Sequence, residues 1–116
     1  MATNQQVEAK LRELIGRLDG ADDRVKRNVA GAVPGPRVIQ MDVPDLGVSF
    51  WTELADGELG QLHQGAAEQA DIRVTAASDH LIEMIDGRRS MFTSYLAGQI
   101  RVQANVSDLL ALRRLL

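Results

Sequence analysis

Hydrophobic spacing along the chain switches several times between a helical and a strand period, and a turn or cap residue marks each switch. Val7, Leu11, Leu14, Ile15 and Leu18 fall on one face at helical spacing, the pattern of an amphipathic helix. Thr3, with Gln6 three residues later, is placed to form a capping box at its start. Asp19-Gly20 ends it, because glycine accepts the left-handed conformation common after a last turn. A second helix is predicted from Asp22 to Ala30, with acids in its first turn and Val25 and Val29 on one side. Gly31 and Pro34-Gly35-Pro36 stop it.

The period then becomes two. Ile39, Met41 and Val43 alternate with Val38, Gln40 and Asp42, and Pro44 to Gly47 is a turn. Val48, Phe50 and Leu54 share a face of a second strand. Asp56-Gly57 carries a hairpin signal, so Glu58 to Gly65 reads as a returning strand. Its Gly60, Gln61, His63 and Gln64 bring little β preference, which predicts an edge position. After a polar connector, Ile72, Val74 and Ala76 alternate in a fourth strand. Ser78 is positioned to cap a helix carrying Leu81, Ile82, Met84 and Ile85, closed by Gly87. A short helix from Ser90 with Met91, Phe92, Tyr95 and Leu96 ends at Gly98. Ile100, Val102 and Ala104 form a last strand, and Asn105 or Ser107 caps a leucine-rich terminal helix. The order implies one α+β domain over residues 1–116, a five-stranded, largely antiparallel or mixed sheet with helices packed on it.

Composition narrows the function. At 116 residues with 45% hydrophobic and 25% charged side chains, the chain has material for one real core. Aromatics are only 3% and the net charge is -3, which argues against nucleic acid as a partner. Two basic pairs, Arg88-Arg89 and Arg113-Arg114, allow at most a transient contact with a membrane surface. With no cysteine, thiolate metal sites and disulfides are excluded. No secretory pattern or apolar run of membrane-spanning length occurs, so a cytoplasmic location is expected.

Candidate chemistry is thin. His63 and His80 lack any partner at metal-ligand spacing. Asp42 and Asp45 flank Val-Pro and suit Asx-turn hydrogen bonds. Neither a nucleophile elbow nor a phosphate loop is present. The reading is therefore no enzyme, no metal and no cofactor.

The second half of the chain resembles a known family. Ala70-Asp-Ile-Arg-Val-Thr leads to a Ser-Asp helix start and Met84-Ile-Asp-Gly87. Phe92, Tyr95-Leu96-Ala-Gly98, Ile100-Arg-Val-Gln-Ala-Asn105 and a leucine helix follow. This order is similar to the sterol carrier protein 2 (SCP-2) domain, from about Leu14 to Leu116. Ser90-Met91 stands where that family often has proline, and Ala104 where it often has glycine. The resemblance implies an SCP2-like fold around an apolar cavity and non-catalytic binding or transfer of a lipid. Fatty acid, acyl-CoA, a sterol-like molecule and phospholipid all remain open as the ligand. Surplus apolar side chains would line the cavity: Phe50, Met84, Ile85, Met91, Phe92, Tyr95, Leu96, Leu109, Leu110 and Leu112. The alternative is the same fold with a filled core, acting as a homodimer or an accessory module, a partner covering Leu115-Leu116.

Overall fold

Eleven elements follow one another in the computed structural model, which describes residues 2–33 and 35–115; the side chains of Met91, Phe92 and residues 112–115 lie outside that set. Helix α1 (Asn4–Asp19) and α2 (Asp23–Ala32) precede β1 (Arg37–Val43), β2 (Val48–Ala55), β3 (Glu58–Leu59) and β4 (His63–Gln64). Then come β5 (Ile72–Ala76), α3 (Ser78–Ile85), α4 (Met91–Leu96), β6 (Ile100–Gln103) and α5 (Val106–Leu115).

The capping box of α1 is present: the Thr3 hydroxyl accepts from the Gln6 amide at 3.1 Å and the Gln6 side chain accepts from the Thr3 amide at 2.9 Å. Its end differs from expectation. Gly20 stays in the right-handed region at φ -86°, so no left-handed turn is used there. Helix α2 also continues through Gly31 to Ala32, because glycine only weakens a helix; the stop falls to Val33 and the segment beyond it.

The sheet order is β3-β2-β1-β5-β6, with β4 also paired to β2. β1 and β2 are antiparallel from Arg37 opposite Leu54 to Val43 opposite Val48. β1 and β5 are parallel, and β5 and β6 antiparallel, so the sheet is mixed. The parallel pair arises because residues 65–71 carry the chain across the face of β1, where the Ala67 amide donates to the Gln40 side-chain oxygen at 2.9 Å. The Asp71 amide then donates to the Val38 carbonyl, and the Asp71 carboxylate accepts from the Val38 amide.

The returning strand expected over 58–65 is broken. Leu54 faces Leu59, yet Trp51 faces His63 where an unbroken ladder would place Leu62. One extra residue is therefore bulged between β3 and β4. The slip moves Leu62 off the polar face of the sheet and into the core, where it is buried. The hairpin before it follows the sequence signal: Asp56 and Gly57 take φ 54° and 78°, the two positive values of a type I′ turn.

One sheet face is apolar and carries the helices. Its core divides in two. Val7 and Leu11 of α1 and Leu81 and Ile85 of α3 pack with Val43, Phe50, Ala76 and Ile100. Val33 and Ala111 of α5 close on Leu54, with Leu18, Val29, Ile39 and Leu59 against them.

Candidate functional site

On the helix-covered face, beside the first cluster, one row of strand residues is only half-buried. Phe50, Met41, Val74 and Val102 are register neighbours across four strands. Phe50 is wholly buried, whereas Met41, Val74 and Val102 are only half-buried although they sit on the helix-covered face. The sequence reading left those three out. Each is unremarkable in its own strand, and only the sheet order, which pairs β1 with β5 and β5 with β6, aligns them.

Helix α3, which carries Met84 and Ile85, is held at both ends. Ser78 does not cap it: the N-cap is Ala77, with no side-chain bond of its own. The Asp45 carboxylate does the work from the turn after β1, accepting from the Ser78 amide at 2.9 Å and from its hydroxyl at 2.6 Å. The Ser78 oxygen accepts in turn from the Ala2 amide at 3.1 Å. A negative charge suits a helix N-terminus, and the Ser78 hydroxyl bond holds the Asp45 carboxyl below the usual carboxylate range. At the other end Arg17 donates to the Ile85 carbonyl at 2.6 Å, and Lys10 pairs with Asp86 at 2.5 Å. The Lys10 ammonium lowers the Asp86 pKa. Gly87, at φ 76°, completes the turn: its amide donates to Met84 and the Arg88 amide to Glu83.

Helix α4 is built the same way. The Ser90 hydroxyl accepts from the Thr93 amide, and the Gly98 and Gln99 amides return to Tyr95 and Ser94. For α5 the choice between Asn105 and Ser107 resolves to Asn105, whose side chain accepts from the Asp108 amide at 2.8 Å. Asp108, 3% exposed, accepts from Arg37 Nε at 2.9 Å and ties α5 to β1. This hydrogen bond raises the Arg37 pKa.

The ten candidate lining residues separate into three groups. Phe50, Met84 and Ile85 come together in the first core cluster, the first and last buried and Met84 packed against them. Tyr95, Leu96 and Leu110 are exposed, at 46%, 68% and 51%, and Leu109 is half-buried. Met91, Phe92 and Leu112 have side chains outside the described residues. Three concavities among the described residues hold about 490, 410 and 280 Å³. None of the three is lined by any of the ten. The largest lies between α1 and the β3–β4 bulge, against Ile15, Gly16, Leu59 and Leu62.

The other sheet face is polar. Asp42 there accepts from Gln40, Ser49 and Arg73; burial raises its pKa, and those three hydrogen bonds together outweigh that and lower it. Trp51 stacks on His63 with ring centroids 4.1 Å apart. Asp42 lies within β1 rather than in a turn, and Asp45 caps a distant helix rather than its own turn. Among the described residues no three His, Asp or Glu side chains gather as a metal site, and no helix is long and apolar enough to cross a membrane.

A family model described as the SCP-2 sterol transfer family matches residues 6–116. A fatty acid-binding protein from Yarrowia lipolytica is 26% identical over 61 residues, 53% of this chain and 47% of that protein, so the match spans about half of the relative. The sterol carrier protein 2 like 2 of Aedes aegypti superposes with a TM-score of 0.68 over 97% of both chains, at 14% identity. The sec-alkylsulfatase Pisa1 of a Pseudomonas species contains a similar fold, TM-score 0.58 at 17% identity, covering 78% of this chain and 14% of that enzyme.

Proposed function

Since this chain belongs to the SCP-2 sterol transfer family, we propose that it is a non-catalytic domain that binds and carries an apolar lipid in the cytoplasm. The observation that carries this reading is the half-buried row Met41, Val74 and Val102 on the face the helices should seal. A small domain gains stability from each apolar side chain it covers, so a partly open row beneath helices is suited to an apolar guest. Exposed Tyr95, Leu96 and Leu110 on α4 and α5 supply further apolar surface. The proposed lining is that row with Phe50, Met84, Ile85, Met91, Phe92, Tyr95, Leu96, Leu109, Leu110 and Leu112. The Yarrowia relative's name supports a fatty acid as the first ligand to try.

A fluorescent fatty acid titrated into the purified protein should bind at micromolar concentration, and native mass spectrometry should detect a retained acyl ligand. Val102→Thr, which replaces a methyl by a hydroxyl at nearly constant volume, should weaken binding roughly 5- to 10-fold. No acyl binding by either method overturns the reading. A second reading, the filled-core homodimer or accessory module, draws on the complete burial of Phe50 and on a similar fold forming part of a larger enzyme. It requires a ligand-free protein whose mass in solution is that of a dimer.

A further inference from the structure

Two sides of α1 are used by the fold and a third is left open. Val7 and Leu11 enter the first core cluster, and Leu18 packs on the second. Lys10, Glu13 and Arg17 form another side, tied to one another, to Asp86 and to the Ile85 carbonyl at the end of α3. Arg12, Ile15, Gly16 and Asp19 recur at helical spacing on the third side. There they wall the groove of about 490 Å³, opposite Leu59, Gly60, Gln61 and Leu62.

Gly16 has no internal explanation. Glycine weakens a helix interior relative to alanine, yet a Cβ at Gly16 would meet no atom within 4 Å. Nothing in its own chain needs the space that the missing side chain leaves at the groove. The charges at the two ends of the groove are opposite. Arg12, its side chain 59% exposed, pairs only with Glu8 at 3.3 Å, one turn back on the same helix. Asp19 is exposed and has no hydrogen bond or ion pair among the described residues. Seven residues, about 10 Å of helix, separate the two.

We propose that this face of α1 is the contact of a two-fold homodimer in which the two α1 helices pack antiparallel. A two-fold interface must be complementary to itself, and this face is: a half-rotation sets Arg12 against the partner's Asp19 and Asp19 against the partner's Arg12. The axis then runs between Ile15 and Gly16. Ile15, half-buried in its own copy, covers the space at the partner's Gly16, and the helices approach at the short end of the usual separation of about 8–10 Å. A parallel pairing would set Arg12 against Arg12 and Asp19 against Asp19. The contact is independent of whether the interior holds lipid, since none of the proposed lining residues borders the groove.

Sedimentation equilibrium of the full chain from about 10 µM to 1 mM should show a monomer–dimer equilibrium that weakens at about 0.5 M salt. Arg12→Glu and Asp19→Arg each set like charges against one another and should weaken the dimer at least about tenfold. An equimolar mixture of the two variants restores both attractions and should dimerise as the parent does, a rescue that a purely structural role for either residue would not give. Circular dichroism confirms that each variant folds; both side chains are exposed, so their change leaves the core intact. Gly16→Ala should raise the urea midpoint, because alanine favours the helix, and still weaken the dimer, because its methyl group enters the contact. A monomer throughout the range, a dimer that the single charge changes leave intact, or a mixture that stays monomeric overturns the proposal. So does a monomer that loses fatty acid on Gly16→Ala, which would assign the groove to a ligand. A dimer without fatty acid binding would sink the carrier reading and leave this one; fatty acid bound by a monomer would do the reverse.

Discussion

Gly57 sits where two separate demands meet, and replacing it with alanine separates their magnitudes. Its φ of 78° belongs to the left-handed region, which costs a residue with a Cβ about 1–2 kcal/mol. A Cβ there would also lie 2.1 Å from the Lys26 carbonyl oxygen and 2.8 Å from its carbonyl carbon. Those are backbone atoms of α2, so no side-chain rotation relieves the overlap. The hairpin tip must move away by about 1 Å or more to reach ordinary contact distance. That shift loosens Leu54 and Leu59 against Val29 and Ala32 in the second core cluster and the Lys26–Glu58 pair at 3.3 Å. Together the two effects should destabilise the fold by about 2–4 kcal/mol, against a total of roughly 5–15. Gly47 provides the control. Its φ is 63° and nothing lies within 4 Å of the Cβ position, so Gly47→Ala incurs the conformational cost alone. Urea unfolding followed by the fluorescence of Trp51 measures both variants. If Gly57→Ala is no more destabilised than Gly47→Ala, the close approach of the hairpin to α2 is refuted.

Asp45→Asn removes the carboxylate that caps α3. Because the folded pKa of Asp45 is lowered, its stabilisation is present above the unfolded value of about 3.9 and is lost as pH falls below it. The gap between the urea midpoints of variant and parent should therefore be full at pH 7 and shrink as the pH is taken below about 3.9; a gap that does not change with pH would remove Asp45 from the account. Arg37→Met should leave the Asp108 carboxylate buried without its ion-pair partner and lower the urea midpoint. The double change Arg37→Met with Asp108→Leu should recover part of it, and no recovery would show that the pair is not what ties α5 to β1. Gly16→Leu, which meets no atom within 4 Å of its Cβ, should fill the groove beside the β3–β4 bulge and leave fatty acid binding unchanged. Reduced binding would move the site there.

Much of the fold was legible because local chemistry and tertiary demand agree. Thr3 with Gln6, Asp56-Gly57, Gly87 and Gly98 each act through neighbours a few residues away, so their signals sit within one short window. At Ser78 and at the returning strand the reading failed because the deciding partner was distant in sequence. Ser78 looks like an N-cap, but Asp45, thirty-three residues earlier, accepts from its amide and hydroxyl. The bulge between β3 and β4 follows from the need to turn Leu62 inward beside Phe50, and no local pattern records that need.

The candidate site divides along the same line. Periodicity alone established an α+β chain with surplus apolar side chains after Ala70, since alternation and helical spacing are properties of adjacent residues. It could not say which of them would be covered. Phe50 and Ile85 close into a core while Leu96 and Leu110 stay open to solvent, although all four read alike as apolar positions in their own elements. Burial depends on which strands become neighbours and which helices cross them. Only the assembled sheet, with β5 parallel to β1 and β6 at its edge, aligns Met41, Val74 and Val102 and leaves them half covered.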